Sequence, residues 1–175
     1  MFELQPWDPE LYRRQTRRIT LAIVVSFVLL ALVCSTLAVQ LLGTPGGDNF
    51  RCNLGGVLVA AALTLLLVRG HLWTQAWMAP AVYGWRLKRS LMRVTNVMHQ
   101  VTAGVAAEDA TAMKLLRFYH LGLTQMYQLD ANTSALSQAV REIDQHQARM
   151  QALRLDIDQP GLESAWLEHV AKGVA

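Results

Sequence analysis

ITLAIVVSFVLLALVCSTLAVQLL, residues 19–42, contains no charged side chain. At about 1.5 Å of rise per helical residue, a run of this length covers the roughly 30 Å hydrocarbon core of a bilayer with some tilt to spare. A second run, NLGGVLVAAALTLLLV at residues 53–68, is shorter, but Phe50 before it and Leu72 and Trp73 after it extend the span. Arg69 then falls near an interface, where its long stem lets the guanidinium reach headgroups. Between the runs lies GTPGGDNFRC, residues 43–52, with Pro-Gly-Gly as a turn signal. So short a link makes the two spans antiparallel neighbours, a membrane hairpin.

Composition agrees. Of the 175 residues, 53% are hydrophobic and 17% charged, against roughly 25% charged in soluble domains. That excludes a disordered chain, which would carry more charge and less apolar surface. Two cysteines exclude a disulfide-stapled scaffold. Cys34 lies mid-span and Cys52 at the far end of the hairpin, so the two are not expected to bridge.

Basic residues set the orientation. Arg13, Arg14, Arg17 and Arg18 precede the first span, and Arg69, Arg86, Lys88, Arg89 and Arg93 follow the second. The loop has only Arg51, close to Asp48. By the positive-inside rule both termini are cytoplasmic and the loop is outside. Trp73, Trp77, Tyr83 and Trp85 after the second span, and Trp7 and Tyr12 before the first, are interface anchors. The first run is too long for an ordinary signal h-region, and Thr16 to Leu21 only approaches a twin-arginine signal, so a retained span is expected. Small residues sit four apart in each span, Ala31 with Ser35 and Gly56 with Ala60. They are expected to pack the two helices together, a dimer face being the alternative.

Residues 74–175 read as a cytoplasmic helical domain. Leu87, Leu91, Val94, Met98, Val101 and Val105 form an a/d seam along one long amphipathic helix after Pro80. Its other face carries Arg86, Lys88, Arg89 and Arg93, a basic collar suited to anionic lipid headgroups. Glu108 and Asp109 open the next helix, whose apolar residues over 112–129 cover most of its circumference and mark it as the most buried. A third helix, capped by Thr133 or Ser134, has a seam of Leu136, Ala139, Ile143, His146, Met150 and Leu153. A short helix starts near Pro160 and is covered by Leu162, Trp166 and Val170. No strand is expected. The fold class is an all-α membrane protein: segment 1–18, span 19–42, loop 43–52, span 53–73, then a cytoplasmic domain of three main helices and a short C-terminal one.

Catalytic signatures are missing. No phosphate loop, nucleophile elbow or zinc-protease motif occurs. The five histidines, His71, His99, His120, His146 and His169, are scattered, and Glu168–His169 is the only tight acid–histidine pair in sequence. The expectation is no metal, no cofactor and no small-molecule substrate. A haem between spans would need a histidine on each, and only His71 lies near one. The basic stretch at 86–93 lacks interleaved exposed aromatics, so lipid phosphate is expected before nucleic acid.

Four strings, PGGDNFR (45–51), NLGGVL (53–58), VYGWRLKRSLM (82–92) and AMKLLRFYHLGL (112–123), resemble an uncharacterised family of small gammaproteobacterial inner-membrane proteins catalogued as a domain of unknown function. The resemblance spans nearly the whole chain. It implies two spans in a Gram-negative inner membrane and assigns no activity.

The functional expectation is a membrane-anchored, non-enzymatic helical interaction protein that self-associates through its seams, its partners being the lipid bilayer and a second copy or a membrane complex. The alternative is an accessory subunit of an inner-membrane transport or respiratory complex. An enzyme using His120 or Glu168–His169 ranks last for want of geometry. His146, a polar residue in a seam, is expected either to be held by a hydrogen bond to a carbonyl or carboxylate, or to serve as a register or pH device.

Overall fold

The computed structural model describes residues 1–173. Among them are seven α-helices and one minimal strand pair: β1 (Phe2–Glu3), α1 (Pro9–Leu42), α2 (Phe50–Gly70), α3 (Ala79–Thr95), α4 (Met98–Ala106), α5 (Ala110–Leu129), α6 (Thr133–Ala152), β2 (Gly161–Leu162) and α7 (Ser164–Lys172). Short 3-10 turns at Leu72–Thr74 and Ala76–Met78 precede α3. The chain divides into two compact units, Arg14–Val82 and Met1–Arg13 with the chain from Tyr83 onward.

In the unit Arg14–Val82, α1 and α2 are both long and apolar enough to cross a membrane. Three of their hydroxyl groups are satisfied locally. Ser26, Thr36 and Thr64 each donate to the carbonyl four residues back, at 2.8, 2.7 and 2.8 Å. A polar side chain in an apolar medium then leaves no donor unpaired. The connecting loop is tied by Asn49, whose Oδ1 accepts from the Thr44 N–H at 3.0 Å while its Nδ2 donates back to the Thr44 carbonyl at 3.3 Å. Gly46 takes the positive φ of 73° that the turn requires. The outer faces of the helices stay open, with Leu32 62% and Leu66 68% exposed. A water-facing surface so rich in leucine would aggregate. At the other end of the unit Ile19, Met78 and Val82 form a small core with Ile23, Val68, Leu72 and Trp73.

The second unit is built on α5. Val94, Val101, Ala112, Leu115 and Phe118 are wholly buried around it. Gly104 allows α4 to approach closely, since a Cβ there would fall 2.6 Å from that of Ala112. Gly122 does the same for α3, against Leu91 and Leu87. The N-terminal residues close a second cluster of Tyr12, Tyr83, Leu87, Leu91 and Leu129, joined by Phe2, Leu4 and Trp7. A closed hydrogen-bond circuit holds them. The Gln5 N–H donates to Tyr83 Oη at 3.1 Å, Tyr83 Oη donates to Gln125 Oε1 at 2.5 Å, and Gln125 Nε2 donates to the Gln5 carbonyl at 2.6 Å.

Several features differ from the sequence reading, among them the N-cap of α6, which is Asn132, accepting from the Ala135 N–H at 3.2 Å, and not Thr133 or Ser134. A strand pair exists, with Phe2 opposite Leu162 in antiparallel register. It is two residues long because its role is to pin the N-terminal segment, not to build a sheet. Residues 1–18 are not one flanking segment, because Met1–Arg13 belongs to the helical unit. The single seam helix is broken at residues 96–97, where Thr95-Asn96-Val97 combines three weak helix formers. Leu87, Leu91, Val94 and Val101 stay buried on both sides of the break, so five helices stand where three main ones and a short one were expected. Finally, α6 stops at Ala152 and leaves Leu153 exposed as its C-cap. The following turn, with Arg154 at φ 57° and the Leu155 N–H bonded to the Met150 carbonyl at 2.9 Å, redirects the chain before the seam completes another turn.

Candidate functional site

Asp109 starts α5 as its N-cap, accepting from the Ala112 N–H at 2.7 Å. Three residues apart on this helix, Arg117 and His120 share one face. Both are buried, at 7% and 3% exposure, an unusual charge load for the most enclosed helix of the unit. The Arg117 Nε donates to the Ile157 carbonyl at 2.9 Å, while its Nη1 and the His120 Nδ1 are buried without a hydrogen-bond partner. From α6, His146 meets His120 edge to face, ring centroids 5.2 Å apart. The His146 Nε2 lies 3.0 Å from the Met113 carbonyl. A carbonyl only accepts, so Nε2 carries the hydrogen and the neutral ring leaves Nδ1 as its acceptor.

Burial, then the neighbouring His146 and Arg117, push His120 down to about 4. His146 is also lowered, mainly by burial and further by Arg117 and Arg149, against the raising effects of the Met113 carbonyl and Glu142. Burial lowers Arg117 too, with Asp144 and Asp158 partly opposing it. Near neutral pH the cluster therefore holds two neutral imidazoles and one cation. The 4.0 Å approach of His120 Nε2 to Glu142 Oε1 is then a contact with a neutral ring and not an ion pair. Among the described residues, no group of three or more His, Cys, Asp or Glu could hold a metal ion.

The residues singled out by sequence fall in three places. In the hairpin, an added Cβ on Gly56 would land 2.5 Å from the Ser35 Cα, and the Ser35 Oγ donates to the Asn53 carbonyl at 3.1 Å. Ala60 is wholly buried and Ala31 half-buried. Cys34 and Cys52 are free thiols. On α3, Arg86, Arg89 and Arg93 are exposed, but Lys88 pairs with Asp130 at 3.0 Å. His169 lies 3.3 Å from Asp109, not paired with its sequence neighbour Glu168. Burial raises Asp109, but the Ala112 N–H, His169 and the Thr111 N–H outweigh it and hold the carboxyl below its usual range.

Arg117 and the His120–His146 pair were not legible as a site. The available signal was an arginine and a histidine at helical spacing on an otherwise apolar helix.

A family model described as "Protein of unknown function (DUF3087)" matches residues 2–167. The chain belongs to the DUF3087 family. The match takes in both apolar helices, α3 to α6 and the residues of the Arg117–His120–His146 cluster. No curated protein and no solved structure matches the chain.

Proposed function

We propose that this DUF3087 chain is a two-span inner-membrane protein of a Gram-negative bacterium, with both termini cytoplasmic, whose helical unit is a non-catalytic interaction module that self-associates. The observation that carries it is the apolar sheath of α1 and α2. Their contact uses the narrow Ser35–Gly56–Ala60 stripe, the hydroxyls of Ser26, Ser35, Thr36 and Thr64 are bonded to backbone carbonyls, and their leucines face outward. Lipid is the medium in which such a surface is stable. The surplus of arginines flanking the spans supports the orientation.

The first seam is buried within one chain over most of its length, the second only at His146 and Met150. Self-association therefore engages the first half of α6, where Val140 is 42% exposed between the half-buried Leu136 and Ile143. Purification in mild detergent followed by native mass measurement tests the reading. A homo-oligomer weakened by Val140→Glu is expected; a monomer, or a stoichiometric transporter or oxidase subunit, contradicts it.

A further inference from the structure

We infer that the outer face of α3 is an interfacial seat for anionic phospholipid, formed by Trp85, Arg86, Arg89, Met92 and Arg93 and excluding Lys88. The inference rests on the membrane reading above and names the surface by which the helical unit meets the bilayer.

At about 100° per residue, these five side chains occupy an arc of roughly 120° on one side of the helix. Tyr83, Leu87, Ser90, Leu91 and Val94, on the other side, are buried. The outer arc combines two apolar side chains with three cations. Met92 is 63% exposed and Trp85 42%, and the Arg89 guanidinium lies 5.0 Å from the Trp85 ring centroid. Among the described residues, no carboxylate forms an ion pair with Arg86, Arg89 or Arg93. Lys88, at the margin of the arc, is instead occupied by Asp130.

That combination selects its occupant. Guanidinium groups take phosphate oxygens in a forked geometry, and tryptophan prefers the headgroup level, with its ring toward the chains. A thioether facing outward beside them belongs in the acyl boundary. An acidic protein would satisfy the arginines but leave Met92 in a polar rim. Continuity of the chain adds to this. α2 ends at Gly70 and α3 begins at Ala79, so the helix is tethered close to the bilayer that its own span occupies, and its encounter with headgroups is intramolecular.

The test uses the full chain in nanodiscs of phosphatidylcholine, with or without phosphatidylglycerol. Cys34→Ala and Cys52→Ala provide the background for a nitroxide at Met92→Cys, at Gln138→Cys as an aqueous reference, or at Leu29→Cys as a bilayer reference. Accessibility to oxygen and to a polar nickel chelate is read for each. With phosphatidylglycerol, the label at 92 should be at least fivefold less accessible to the chelate than the label at 138. Arg86→Gln with Arg89→Gln and Arg93→Gln should abolish that difference, whereas Lys88→Gln should not. Helix content of each variant is checked by circular dichroism. A label at 92 as wet as that at 138, one unaffected by the triple change, or one immobilised only by added RNA overturns the proposal. If the label at 29 is in lipid while that at 92 is in water, the seat alone is wrong. If the label at 29 is also in water, the membrane reading fails and takes the seat with it.

Discussion

The His120 ring stands edge-on to that of His146, centroids 5.2 Å apart, across the α5–α6 contact. Neither ring can take up a proton without placing a charge beside the other and beside Arg117, in a region closed to water. Asp144, Asp158 and Glu142 face the cluster from its rim and offset this only in part.

Stability should therefore depend on acid in a defined sense. The folded pKa of His120, about 4, lies below its ordinary value of 6.5, so the fold favours the neutral ring. That contribution is complete above pH 7 and is lost as pH falls from 6.5 toward 4. By pH 4.5 the loss amounts to about 2–3 kcal/mol. Urea unfolding of the helical unit within the intact chain should show this loss between pH 7.5 and 4.5, and His120→Leu should remove much of it. His146→Leu should remove a smaller share. Parallel profiles for wild type and both variants would contradict the account.

Arg117 couples to the same titration. Replacing it by methionine removes the nearest buried cation and the bond to the Ile157 carbonyl. The His120 pKa should rise, by NMR titration, while stability at pH 7.5 falls by about 1 kcal/mol for the lost hydrogen bond. An unmoved His120 titration would show that the guanidinium does not act on it.

How far the fold could be read from sequence depended on whether its signals were local. Residues 19–42 announce a span by composition alone, and 112–129 announce the most buried helix by apolar residues all round. The Phe2–Leu162 pairing joins the two ends of the chain through two residues each, too few to show alternation. The break at residues 96–97 preserves the seam on both sides, so hydrophobic period could not reveal it. His146 stood out as a polar residue in a seam. Its partner His120 stood out only as a candidate catalytic residue and not as a partner of His146, because a helix apolar on every side has no period against which a histidine appears misplaced.

In the hairpin, Gly56→Leu should separate the helices, since even a Cβ would sit 2.5 Å from the Ser35 Cα. A loss of roughly 1–3 kcal/mol in micelle-based unfolding is expected for such overpacking. Gly55→Leu, one residue away, meets nothing within 4 Å and should be silent. Equal effects at 55 and 56 would contradict the packing stripe.

At Gly84 a Cβ would overlap the Tyr12 hydroxyl. Gly84→Ala should therefore loosen the N-terminal segment, seen as faster amide exchange at Leu4, whose N–H bonds the Pro160 carbonyl at 2.8 Å. Adding Tyr12→Phe should restore part of the protection, because it removes the atom struck. No rescue would show that the strain lies elsewhere.

A hairpin that crosses the membrane twice places its loop and its C-terminal end on opposite sides, which topology fusions read out. Alkaline phosphatase, active only outside the cytoplasm, is fused after Gly46 and after Ala175 in the full chain. High activity after Gly46 and background activity after Ala175 is the expected result; strong activity from the fusion after Ala175 would contradict the account.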